Sequence, residues 1–107
     1  MARYLVLWRM NPVAPWPTDP SKVLELNEKM WAAIDDLIRK GLVKEMGGFL
    51  DGWSGYAIGE GEATDVYKYI GMFIPYMQGE VHEAIPYEKT KEIDRARLKA
   101  LVKAAKK

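Results

Sequence analysis

The chain has no cysteine, a single histidine, no long apolar run and almost no net charge. Without cysteine there is no disulfide framework, no thiol catalysis, no cysteine-ligated zinc and no iron–sulfur cluster. One histidine excludes every metal site that takes two imidazoles from one chain. No apolar stretch approaches the roughly 20 residues that span a bilayer, and the N-terminal Ala2–Arg9 stretch is too short and too interrupted for a signal peptide. A cytoplasmic protein without a membrane partner is the expectation. The 16 Lys+Arg against 15 Asp+Glu give a formal charge of +1, without the basic excess of a nucleic-acid binder. What is present is apolar: 49% of the 107 residues, 12 of them aromatic. For a mass of 12.2 kDa, a compact fold exposes roughly 6,000 Å², enough for one core without staples.

Hydrophobic patterning gives the element order. Arg3 to Met10 reads as a strand that is apolar on both faces, with Tyr4, Val6, Trp8 and Met10 on one and Leu5 and Leu7 on the other. Such a strand is expected to be central and covered on both sides. Four of the six prolines and Trp16 then form a stiff connection from Asn11 to Pro20. Asp19-Pro20 reads as a helix N-cap followed by proline at the first helical position. The helix runs to about Lys40 and stops at Gly41. Its stripe of Val23, Leu26, Met30, Ala33, Ile34, Leu37 and Ile38 faces a core, and Trp31 is expected to pack as well.

Leu42–Met46 and Gly55–Gly59 read as two strands around the turn dipeptide Asp51-Gly52. The glycine-rich stretch between Gly47 and Gly61 matches no phosphate-binding motif, which leaves turns and bulges. Ala63–Ile74 is a second helix stopped by Pro75, Met77–Pro86 a fourth strand, and Tyr87 opens a third, amphipathic helix. This βαββαβ order predicts an α+β, ferredoxin-like antiparallel sheet with two helices on one face. The chain divides into a single domain over 1–107, with a core over 1–87 and a basic terminal helix over 88–107. Net charge is −4 over 1–87 and +5 over 88–107. That split signals either an anionic partner or a helix whose charges serve solubility and its own dipole. The sheet face opposite the helices, expected to carry Trp8, stays wet unless a second copy covers it, which predicts a homodimer.

On these elements the sequence resembles the dimeric α+β barrel superfamily, and within it the small single-domain proteins of uncharacterised function. The residues that carry the resemblance are the opening strand Tyr4-Leu5-Val6-Leu7-Trp8, the hairpin ending in Ala57-Ile58-Gly59-Glu60, and the last strand Glu83-Ala84-Ile85-Pro86. The resemblance implies two sheets packed face to face, with a site inside the barrel or between sheet and helices. It spans isomerases, cofactor-independent monooxygenases, haem-handling enzymes and ligand-binding regulators, and fold analogy does not choose among them.

His82 is the one side chain that titrates near neutrality without help. Glu80 lies two residues away on the same strand face, so the pair has the makings of a general base and its orienting carboxylate. The bland alternative is a surface histidine with a neighbour. One histidine and one or two carboxylates hold a metal only if a second copy supplies another set, and no residue pattern calls for haem or any other cofactor. Tyr4, Trp8, Trp16, Trp53 and Tyr56 are candidates for lining a pocket around a flat apolar molecule, and Arg9 for clamping a carboxylate on it. The same aromatics serve equally well as core or interface. Three functions follow as expectations. The first is a dimer that binds a small, partly apolar molecule. The second is an isomerase or monooxygenase with His82 as acid/base, and the third a structural or regulatory dimer module.

Overall fold

In the computed structural model, which describes residues 2–106, the chain runs β1 (Ala2–Met10), α1 (Pro20–Arg39), β2 (Val43–Gly48), β3 (Ser54–Gly61), α2 (Ala63–Gly71), β4 (Met77–Ala84) and α3 (Tyr87–Ala105). Met1 and Lys107, the ends of the expected domain, lie outside the described residues. The four strands form one antiparallel sheet in the order β2-β3-β1-β4. This order resembles the ferredoxin-like arrangement, with β1 and β3 central.

Local chemistry sets the boundaries. The Asp19 carboxylate accepts the Ser21 amide at 3.0 Å and starts α1 on Pro20. Gly41 ends the helix with φ at +76°, where a side chain would be strained. At the β2–β3 hairpin, Asp51 Oδ1 accepts the amides of Trp53 and Ser54 at 2.8 and 3.0 Å, and its Oδ2 accepts the Ser54 hydroxyl at 2.7 Å. These bonds hold the Asp51 carboxyl below its usual range, with the Trp53 amide the largest cause. Gly52 takes the left-handed turn position at φ +71°. A register shift between Val43 and Glu45 marks a bulge in β2. The second helix stops at Gly71, three residues short of the Ile74 expected from apolar spacing, and the chain continues in turns to Met77.

The core lies between the sheet and the two helices. Tyr4, Met30, Leu37, Ala57, Val66 and Met77 are its buried apolar residues. Trp8 belongs to this side: its indole crosses β3 directly over Gly55 and donates Nε1–H to the Tyr56 carbonyl at 3.2 Å. A β-carbon on Gly55 would sit 2.3 Å from the Trp8 ring and 2.1 Å from the Gly47 carbonyl. The expectation that Trp8 lies on the open face is therefore corrected. Strand register places the odd-numbered β1 residues on the open face, and among the described residues nothing is built over that face.

Beyond the sheet, α3 projects away from the body. None of its residues is buried. The molecule measures 72 × 28 × 24 Å with a radius of gyration of 19.3 Å, against about 13 Å for a compact chain of this length. The apolar residues of α3 also spread around the helix rather than forming the single stripe expected, with Leu98, Leu101 and Val102 all more than half exposed.

Candidate functional site

The open sheet face collects the candidate chemistry. In an antiparallel pair, residues directly opposite share a face. The register sets Leu5 beside His82 and Leu7 beside Glu80 on one flank, and Leu5 beside Ile58 and Leu7 beside Tyr56 on the other. An apolar centre of Leu5, Leu7 and Ile58 therefore lies between a polar row on β4 and the Tyr56 side of β3, next to β2.

Each flank is internally bonded. Glu80 Oε2 lies 3.2 Å from His82 Nε2, the contact expected from their two-residue spacing. Both side chains are solvent-exposed, at 66% and 58%, so water screens the pair in the free chain. On the other flank the Tyr56 ring lies over Gly47, whose missing side chain makes the room. Its hydroxyl donates to Glu45 Oε2 at 2.8 Å, and its ring stacks on Phe49 with centroids 6.1 Å apart. The bond to Glu45, helped by partial burial, raises the Tyr56 phenol above its usual range. At the far end of β1, Arg3 donates to Glu60 at 3.0 Å, and that bond holds the Glu60 carboxyl low.

The remaining candidates separate. Tyr4 and Trp8 lie on the helix side of the sheet, so they do not share a face with His82. Tyr4 is 7% exposed, and its phenol is raised by burial first and then by Glu83 and Glu62. With Val6, Leu37, Ala57 and Phe73 it lines an apolar cavity of about 90 Å³. Binding sites for organic ligands usually enclose ~300 Å³ or more, so this space holds a few waters or very little else. Arg9 is on the open face, opposite Ser54 and Gln78, at the opposite end from His82. Trp16 donates its indole N–H to the Asn11 carbonyl at 2.6 Å and leans on Tyr76 at 4.9 Å, which makes it a fastener of the proline-rich connection. Trp53 projects from the hairpin, half exposed.

Sequence reasoning named Leu5 and Leu7 without placing them in the site, and it missed Ile58 and the Tyr56–Glu45 pair. The alternation of β1 carried the first of these. The second depends on the β2–β3 register across a bulge, which spacing alone does not give. Among the described residues, no three His, Asp or Glu side chains come together as metal ligands, and no helix is long and apolar enough to cross a membrane. No protein-family model matches the chain, and no curated protein matches it.

Proposed function

We propose that two copies of this chain meet through their open sheet faces and bind a small, partly apolar molecule in the space between them. The observation that carries this reading is the open face itself. Leu5, exposed, and Leu7 and Ile58, half-buried, form an apolar centre on this face, bordered by the Glu80–His82 and Tyr56–Glu45 pairs. Four strands about 4.8 Å apart and six to nine residues long give a face of roughly 500 Å² in projection. Side-chain relief takes its accessible area towards the ~800 Å² per partner of a standard interface. The apolar centre favours a ring or alkyl body, and the polar rows favour one or two hydrogen-bonding groups on it.

A specific observation favours a second reading of the same chamber. Closing it removes water from the Glu80–His82 pair. A carboxylate 3.2 Å from an imidazole then orients the ring and fixes its tautomer, as proton abstraction requires.

The test uses sedimentation and an aromatic probe, 1-anilinonaphthalene-8-sulfonate. The expected result is self-association at micromolar concentration that enhances the probe's fluorescence, with Leu7→Asp abolishing the enhancement and reducing the assembly to a smaller species. A monomer, or probe binding unchanged in Leu7→Asp, overturns the proposal.

A further inference from the structure

The outer surface of α1 carries an apolar row that the fold does not use. Leu24, Trp31 and Ile38 recur every seven residues and are 55%, 50% and 45% exposed. Trp31 and Ile38, both expected to pack in the core, stand on this row instead. Glu28 and Asp35 fall on the same face, at i+4 from Leu24 and Trp31. Neither is in an ion pair among the described residues, whereas Glu25 and Asp36 elsewhere on α1 are paired with Lys29, Arg39 and Lys40.

The projecting α3 offers the complement. Tyr87, Leu98 and Val102 edge a shallow groove along it, at 70%, 54% and 56% exposure. Lys91, Arg95 and Lys99 lie in the same groove with one acidic residue, Asp94, which Arg97 neutralises. Lys91 contacts Glu88 and the Tyr87 ring, while Arg95 and Lys99 have no acidic partner among the described residues. The two rows match in length: about 21 Å from Leu24 to Ile38 and about 22 Å from Tyr87 to Val102. They also match in charge, acidic on α1 and basic on α3.

We infer that α3 of one copy packs on the Leu24–Trp31–Ile38 face of α1 in a second copy, with Glu28 and Asp35 meeting Arg95 and Lys99. A second copy is the occupant for three reasons. A helix with no buried face is marginal in water, and the two ion pairs along α3 do little to change that. The link from β4 is only Ile85 and Pro86, the latter extended at φ −56° and ψ 142°, and a short proline link holds the helix away from its own body. The accessible surface is 8,112 Å², about 2,000 Å² above that of a compact chain of this mass. That excess is ample for a standard interface, which takes ~800 Å² from each partner.

The contact uses faces remote from the open sheet face, so it stands or falls separately from the proposed chamber. In the full-length Leu7→Asp background, which removes the sheet-face contact, Arg95→Glu/Lys99→Glu is expected to weaken the remaining self-association at least tenfold in sedimentation at low salt. Adding Glu28→Lys/Asp35→Lys in the same chain is expected to restore it. Because the chain lacks cysteine, a Glu25→Cys chain carrying a donor dye and a Lys103→Cys chain carrying an acceptor can be mixed cleanly. Energy transfer between the two chains, lost in Arg95→Glu/Lys99→Glu and retained in Leu7→Asp, is the expected result. Transfer confined to a doubly labelled single chain, or association indifferent to the charge reversal, overturns the inference. Loss of transfer in Leu7→Asp overturns it as well, since α3 would then depend on the sheet face.

Discussion

Gly55 and Asp51 show how much of the hairpin rests on single positions. Gly55 is small because the Trp8 ring and the Gly47 carbonyl occupy the space a side chain would need. Gly55→Ala is therefore expected to cost about 3 kcal/mol in urea denaturation, at the upper end of overpacking penalties. A loss under 0.5 kcal/mol would show that Trp8 moves aside freely. Asp51 acts through its charge. Its carboxyl is held low in the folded state by the Trp53 and Ser54 bonds. It stabilises the fold above its unfolded pKa, and that contribution fades as pH falls through the lower folded value. The melting temperature of Asp51→Ala is expected to lie below that of the parent at pH 7, with the gap closing towards pH 2. A gap that stays constant with pH would assign the effect to the turn backbone instead. His82 and Glu80 complete this scale: their contact was readable from a two-residue spacing, whereas their neighbours needed the register.

Elements were legible wherever the signal was local. Asp19-Pro20 and Gly41 bracket α1 as capping chemistry requires, and Asp51-Gly52 marks the hairpin between β2 and β3. Strands β2 and β3 extend beyond the expected segments because ladder pairing recruits the glycines Gly47, Gly48 and Gly61, which propensity alone disfavours. Helix α2 ends early at Gly71, while Phe73 remains half-buried against the core from a turn. The side of the sheet on which Trp8 lies is a tertiary fact. Both alternating sets of β1 are apolar, so periodicity says that they differ but not which one meets the helices. The same ambiguity hid the second row on α1. Leu24, Trp31 and Ile38 are as apolar as Met30 and Leu37, and only the placement of the sheet separates the buried stripe from the exposed one.

At the scale of the whole molecule, near-neutrality is a balance between an acidic body and a basic helix that stands apart from it. Association that brings the two together across copies is sensitive to ionic strength, because exposed charges are screened beyond about 10 Å at 0.1 M salt. Raising salt from 0.05 to 0.5 M is expected to weaken self-association severalfold by sedimentation, while Arg95→Glu/Lys99→Glu responds little. Tighter association with salt would make the interface purely apolar. The two-residue link at Ile85-Pro86 then carries a consequence for assembly. The face on α1 and the face on α3 are different surfaces, so each copy has both a plug and a socket. If two copies exchange helices reciprocally, every socket is filled and growth through this contact stops at a closed pair. A link that aims α3 at a third copy leaves one plug and one socket free at the ends, and growth continues as a filament. Two residues of backbone thus decide between a discrete particle and an open-ended polymer.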